Sequence, residues 1–216
     1  MKVFEQRWRP FLILSSIFIG SLVISEILAN KIIALWEIYV PAGVLAYAIT
    51  FVITDTVEEI WGKNYANQLV FAGFLTLGVV LLLIWLAILM PSAPFWKDEK
   101  AFTTVLGMTR GATRITIASL IAYLVSQYHD VWAFNFWRKV TKGRHLWLRN
   151  NASTIASQAI DTCLFIFLAF YGVVPILPLI LGQYFVKICI ALLDTPFVYL
   201  LVYFIRRKPE AEVKDR

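Results

Sequence analysis

The stretch Ser119–Asp161 reads SLIAYLVSQYHDVWAFNFWRKVTKGRHLWLRNNASTIASQAID. It starts in an apolar run, crosses a dense basic loop, and enters a second apolar run that carries a carboxylate at Asp161. Apolar runs of about 20 residues are the length that crosses a hydrocarbon core of about 30 Å as a helix. Lys and Arg gathered between two such runs mark a cytoplasmic connection. A carboxylate inside one of them must face protein or water, because lipid solvates it poorly. This one segment therefore sets the class of the whole chain, an integral membrane protein of packed helices.

The rest of the sequence agrees. The chain has 216 residues, of which 60% are hydrophobic and 16% charged, against an apolar share of about 45–50% in soluble domains. Mean hydropathy is +0.72. Short segments of alternating polarity, the mark of a membrane barrel, are not visible. The expectation is a single all-α domain over residues 1–205 with six transmembrane helices, at about 11–29, 39–60, 69–90, 112–134, 152–171 and 179–205. Residues 206–216 read as a solvated tail. The start, MKVFEQRWRPFLILSSIFIG, has the flavour of a signal peptide, but its apolar run continues to about Ala29 with no A-x-A site, so it reads as a retained first span.

An even number of spans puts both termini on one side. Lys and Arg on the side of the N-terminus, the 135–151 loop and the tail outnumber those on the other side by 14 to 4, which makes that side cytoplasmic. The net charge of +6 thus belongs to topology and does not point to nucleic acid. Cys163 and Cys189 lie in apolar runs without paired spacing, so they read as small buried core residues, with neither a metal site nor a disulfide implied. Trp36, Trp61, Trp132, Trp137 and Trp147 fall near predicted span ends and read as interfacial anchors.

Ionisable residues in hydrocarbon cost roughly 2.5–3.5 kcal/mol each on insertion scales, and this chain has many: Glu26, Asp55, Glu58, Glu59, Arg114, Asp130, Asp161, Lys187 and Asp194. Asp55, Glu58 and Glu59 share a face at i, i+3 and i+4. Thr154, Gln158 and Asp161 form a stripe on span 5, Gln183, Lys187 and Asp194 one on span 6, and Gln127 and Asp130 pair at the inner end of span 4. Asp161 and Lys187 fall nearest the midplane. Glu26, Asn30 and Arg114 fall in the outer half, as an outer gate or a structural ion pair. His129 and His145 read as interfacial. No HExxH, Walker A motif, glycine-rich phosphate loop or nucleophile–base pair is present, so neither catalysis nor a cofactor is expected. A polar, mixed-charge interior without a tight oxygen or histidine cluster suits a small, flat, hydrogen-bonding solute better than a metal ion.

The segments SEILANKI, GVLAYAITFVITDTVEEIWGK, RITIASLIAYLVSQYHDVW, GRHLWLRNNASTIASQAIDT and VKICIALLDTPFVYL resemble the queuosine-precursor transporter family, also called the vitamin-uptake-transporter group, over about residues 20–205. The resemblance implies a six-helix inner-membrane importer of 7-deazaguanines (preQ0, preQ1 or queuine) that serve tRNA modification. The matching positions are Asp55 with Glu59 in ITD-x-x-x-E, Arg149 through Asn150, Asn151 and Gln158 to Asp161, and Lys187 through Asp194 to Pro196. This chain reads VEE where the family's pattern resembles LTE, so both Glu58 and Glu59 are candidates.

On that analogy Asp161 or Glu58 is expected to read the amino–imino edge of the base, with Gln158 or Asn151 meeting its carbonyl and ring nitrogens. Trp132 or Phe134 would stack on the ring, and Lys187 would hold Asp194 in place. The expected partners are that base and the bilayer, with a homo-oligomer left open. The alternative reading is the substrate-binding membrane subunit of an energy-coupling-factor importer, which needs a partner ATPase; Ala42 and Ala46 form an AxxxA face that would suit docking.

Overall fold

The computed structural model describes residues 2–29, 31–35, 38–105, 112–172 and 176–214. Among them are seven helices and one small hairpin: α1 (Lys2–Leu28), β1 (Ile32–Leu35), β2 (Ile38–Pro41), α2 (Gly43–Trp61), α3 (Lys63–Leu89), α4 (Glu99–Val105), α5 (Ala112–Val140), α6 (Leu146–Phe170) and α7 (Ile176–Lys214). Four of these, over Trp8–Leu28, Lys63–Leu89, Leu146–Phe170 and Ile176–Arg206, are long and apolar enough to cross a membrane. The other two long helices, α2 and α5, fall short in composition. They are the helices that carry Asp55, Glu58 and Glu59, and Ser126, Gln127, His129 and Asp130.

The arrangement is apolar outside and polar inside. Leu12, Leu45, Leu75, Leu83, Ile117, Leu177, Leu193 and Phe204 are exposed, while Thr54, Asp55, Glu58, Gln127, Asp130, Ser157 and Asp161 are buried. In water this would be an unstable inversion of the usual rule; against lipid tails it is the favourable one. One half of the bundle is a dry core. Leu14, Phe18 and Leu22 of α1 meet Ile53 and Val57 of α2, Leu69, Val70 and Leu77 of α3, and Tyr123 and Val131 of α5. The other half, where α2, α5, α6 and α7 meet, holds the polar side chains.

Glycine allows two close junctions. Gly62 links α2 to α3 at φ 94°, ψ 170°, a conformation open almost only to glycine. A Cβ on Gly43 would overlap the carbonyl oxygen of Ser25, so α1 and α2 cross there backbone to backbone.

Three expectations are corrected. The segment before Gly43 is an antiparallel hairpin pairing Ile32 with Pro41 and Leu35 with Ile38, where span 2 was expected to begin at Tyr39. Its Val40 is buried on Val44 of α2 and Val186 of α7, and this closes the end of the bundle opposite the basic turn. The basic loop is far shorter than residues 135–151: α5 continues to Val140 and α6 starts at Leu146. Arg138 and Lys139 stand in the last turn of α5, where cations suit the helix dipole, so charge density there does not break the helix. Finally, Cys163 and Cys189 are free and exposed on the outside of the bundle, not buried in its core.

Candidate functional site

α2 is enclosed by α1, α3, α5 and α7, and every residue from Thr50 to Glu59 is buried. Its polar groups therefore face other helices. The best-connected group is Asp161 of α6. Lys187 of α7 reaches its Oδ2 at 2.5 Å, while Tyr47 of α2 and Ser126 of α5 donate to its Oδ1 at 3.3 and 3.2 Å. The Lys187 ammonium also sits 5.5 Å from the centre of the Tyr47 ring. Four helices thus converge on one carboxylate, between the middle of α6 and the first third of α7. Lys187 pairs with Asp161 and not, as expected, with Asp194. Residues 187 and 194 are two turns apart, roughly 10 Å along one helix, whereas Asp161 comes from the facing helix.

One to two turns further along α6, Asp130 of α5 faces Asp55 of α2. Ser153, Thr154 and Ser157 of α6 crowd around Asp130, but neither of its oxygens finds a partner in good hydrogen-bonding geometry. Asp55 receives one long bond, 3.5 Å, from Thr154. Glu58 is buried with the Asn135 side chain beside its carboxylate, though neither oxygen has a partner in good hydrogen-bonding geometry. Gln127 gives its amide hydrogen to Thr50 at 3.2 Å and keeps a buried, partnerless carbonyl oxygen. His129, half-buried, meets Ser157 at 2.9 Å through Nδ1, so it reaches inward from the expected interfacial position.

At the basic end, Glu59 bridges two arginines: Arg149 at 2.8 Å and Arg206 at 2.7 Å. Arg149 lies 5.3 Å from the ring centre of the buried Phe134, so that ring is covered by a guanidinium. Trp132 is exposed and stacks on Phe136. Glu59, Arg149 and Arg206 line an open cavity of about 780 Å³ with His145 and Tyr199. Asn150 and Asn151 both donate to Thr195 of α7, at 3.3 and 2.7 Å. Gln158 and Asp194 line a small cleft with Tyr47, Thr154 and Lys187. It measures about 10 Å³, scarcely the room one water needs, so the centre of the bundle is closed.

The outer-half candidates among the described residues each hold other partners. Glu26 accepts from Ser119 at 2.7 Å, and Arg114 donates to the last carbonyls of α6, Leu168 at 2.6 Å and Tyr171 at 3.0 Å. Arg114 is thus a cap for unsatisfied helix-end acceptors. Asn30 and Trp36 lie outside the described residues. Among the described residues no three His, Cys, Asp or Glu are placed to hold a metal ion together.

The family model described as "Putative vitamin uptake transporter" matches residues 41–201, from the end of the hairpin through Asp161, Lys187 and Asp194. A Bacillus subtilis (strain 168) protein named "Probable queuosine precursor transporter" is 30% identical over 173 residues, 78% of this chain and 74% of that one. The chain belongs to the queuosine-precursor transporter family. The Escherichia coli (strain K12) protein named "Queuosine precursor transporter" is 25% identical over 173 residues, 79% of this chain and 74% of its own. No solved structure matches.

Within this family member the matched stretch contains every residue of the polar seam but Arg206, which lies beyond it. Three of them were missed in the sequence: Tyr47 and Thr50 on α2 and Ser126 on α5. A signal was there. Tyr47, Thr50, Thr54 and Glu58 recur at helical spacing, as do Ser119, Tyr123, Ser126 and Asp130. Hydroxyls are cheap to place in any helix, however, and draw no attention without a charge beside them.

Proposed function

We propose that this protein is an importer of a 7-deazaguanine precursor of queuosine. In this reading all six long helices cross the inner membrane, α2 and α5 being shielded by the apolar ones around them. Both termini and the α5–α6 turn face the cytoplasm, as the basic residues favour. The observation that carries the reading is the Asp161–Lys187 pair, buried where four helices meet, with the two carboxylate oxygens differently held. The bond to Lys187 is short. The two hydroxyl bonds, at 3.3 and 3.2 Å, are long against the usual 2.7–2.8 Å for O–H···O. A guanine-like edge with adjacent N–H donors can displace the Tyr47 and Ser126 hydroxyls from Oδ1 while Lys187 holds the carboxylate in place. The partnerless carbonyl oxygen of Gln158 accepts a further N–H, and Tyr47 offers a ring face. Asn150, Asn151 and Asp194 line the way towards the cytoplasm. Because the cleft is closed, a bicyclic base enters only when α7 parts from α2 and α6, in keeping with alternating access around a midplane site.

Uptake of labelled preQ0 and preQ1 by cells expressing Asp161→Asn or Lys187→Ala at wild-type levels tests this. Both variants should lose uptake; wild-type uptake in both would sink the proposal.

The energy-coupling-factor reading is less favoured, because Ala46 of the AxxxA motif is buried within the chain and presents no open docking face.

A further inference from the structure

The open cavity at the basic end is built from cations that its acid does not balance. It holds about 780 Å³, within the range of about 300–1,000 Å³ usual for ligand pockets. Among the described residues of its lining, Glu59 is the one acid, set against Arg149 and Arg206. Both arginines bond to it through Nη2, Arg149 to Oε2 at 2.8 Å and Arg206 to Oε1 at 2.7 Å. Each oxygen of Glu59 is therefore taken, and one negative charge serves two positive ones. Arg138 stands close enough to repel Arg149 as well.

Arg149 is the decisive residue. Its side chain is 1% exposed, yet Nε and Nη1 have no acceptor. The neighbouring Asn150 turns to Thr195 of α7 and takes neither donor, while Phe134 offers only a ring face. Buried polar groups are almost always satisfied, so what this guanidinium lacks is an acceptor, and the surplus of positive charge makes that acceptor an anion. Three further features of the cavity agree. Arg206, half-exposed, spends one nitrogen on Glu59. The Tyr199 hydroxyl accepts the Trp147 N–H at 3.1 Å, which leaves its own O–H to donate. Finally, α6 begins at Leu146 in the cavity wall with neither a side-chain cap nor an acid in its first turn. The positive end of a 25-residue helix thus stands open to an anion.

We infer that this cavity is a binding site for a phosphate group, held by Arg206, Tyr199 and the first turn of α6 at its mouth and by Arg149 beneath. Phosphate suits the donor set, because its oxygens accept from guanidinium forks and its charge suits a helix N-terminus. Arg149 supplies charge from below, and its idle Nε–H and Nη1–H are the donors that an oxygen reaching the floor takes. The phosphate belongs either to the headgroup of an anionic lipid or to a soluble phosphate. Basic pockets between membrane helices hold such headgroups, and here Leu146, Val202 and Tyr203 give the cavity an apolar wall beside its polar floor. A 7-deazaguanine base carries no phosphate, so this site is separate from the one proposed for the cargo and does not depend on it.

The test is the melting temperature of the purified full-length protein in phosphatidylcholine micelles, titrated with phosphatidylglycerol in one arm and inorganic phosphate in the other. Saturable stabilisation is expected in at least one arm. Arg206→Gln should raise the half-saturating concentration roughly tenfold, and Tyr199→Phe should raise it by less. Lys142→Gln removes an exposed charge of the same turn that lies outside the cavity and should leave it unchanged. Stabilisation by phosphatidylglycerol alone supports the site with a lipid headgroup as its occupant. Stabilisation by inorganic phosphate supports it with a soluble one. If Arg206→Gln fails to fold, Tyr199→Phe against Lys142→Gln still decides. No stabilisation in either arm, an equal loss in Lys142→Gln, or full binding by both Arg206→Gln and Tyr199→Phe would overturn the inference.

Discussion

Asp161 shows how much of the site a single residue can announce. A carboxylate in the apolar run after RNNASTIASQ was legible as a buried, partnered group because its placement in hydrocarbon is costly. Its partners were not legible. Spacing along one helix relates Lys187 to Asp194 but says nothing of the helix opposite, and the hydroxyls of Tyr47 and Ser126 are unremarkable in sequence. The structure also turns the pair into an energetic statement. Both side chains are nearly buried, at 5% and 10% exposure, so removing one partner strands the other. Lys187→Met should destabilise the protein by about 3–5 kcal/mol. The double variant Asp161→Asn with Lys187→Met should be more stable than that single one, since no bare charge remains. Unfolding of the detergent-solubilised proteins reads both; a double variant at least as damaged as the sum of its singles would show that the pair is not what the site depends on.

At the scale of elements, the helices were readable and their ends were not. The apolar runs gave the existence of α1, α3, α6 and α7, but α1 starts at Lys2, α3 and α6 start six residues before the expected spans, and α7 runs on to Lys214. The hairpin escaped because residues 30–38 read as a short connection between two spans, and only pairing between the two halves of KIIALWEIYVP distinguishes it. The α5–α6 turn was overestimated because Lys and Arg look like loop residues, although a helix C-terminus welcomes them. α2 is the element on which the seam depends, since it contributes Tyr47, Thr50, Asp55, Glu58 and Glu59. Its position is fixed by the backbone contact at Gly43. Gly43→Ala places a methyl against the Ser25 carbonyl, and the neighbour is main chain, which yields little. A loss of about 1–3 kcal/mol is expected, together with weaker substrate binding as α2 shifts. An unchanged melting temperature would mean that α1 and α2 are free to separate there.

The whole molecule is an apolar shell around a polar seam, and the seam has a direction. From the hairpin end it passes Tyr47 and Lys187, Asp161, the Asp55–Asp130 pair, then Asn150 and Asn151, and opens at the cavity of Glu59, Arg149 and Arg206. Composition revealed the shell, and the charges in it revealed that a seam exists. Which charges are paired across helices emerges only when helices distant in sequence are packed together. The central claim is that this chain alone carries its solute through the seam. The direct measurement is uptake of radiolabelled preQ1 into liposomes holding only the purified protein, with Asp161→Asn liposomes beside them. The account predicts saturable uptake to equilibrium with the wild type and none above empty liposomes with the variant. Tight binding of preQ1 without any uptake, restored only by adding a partner ATPase, would contradict it.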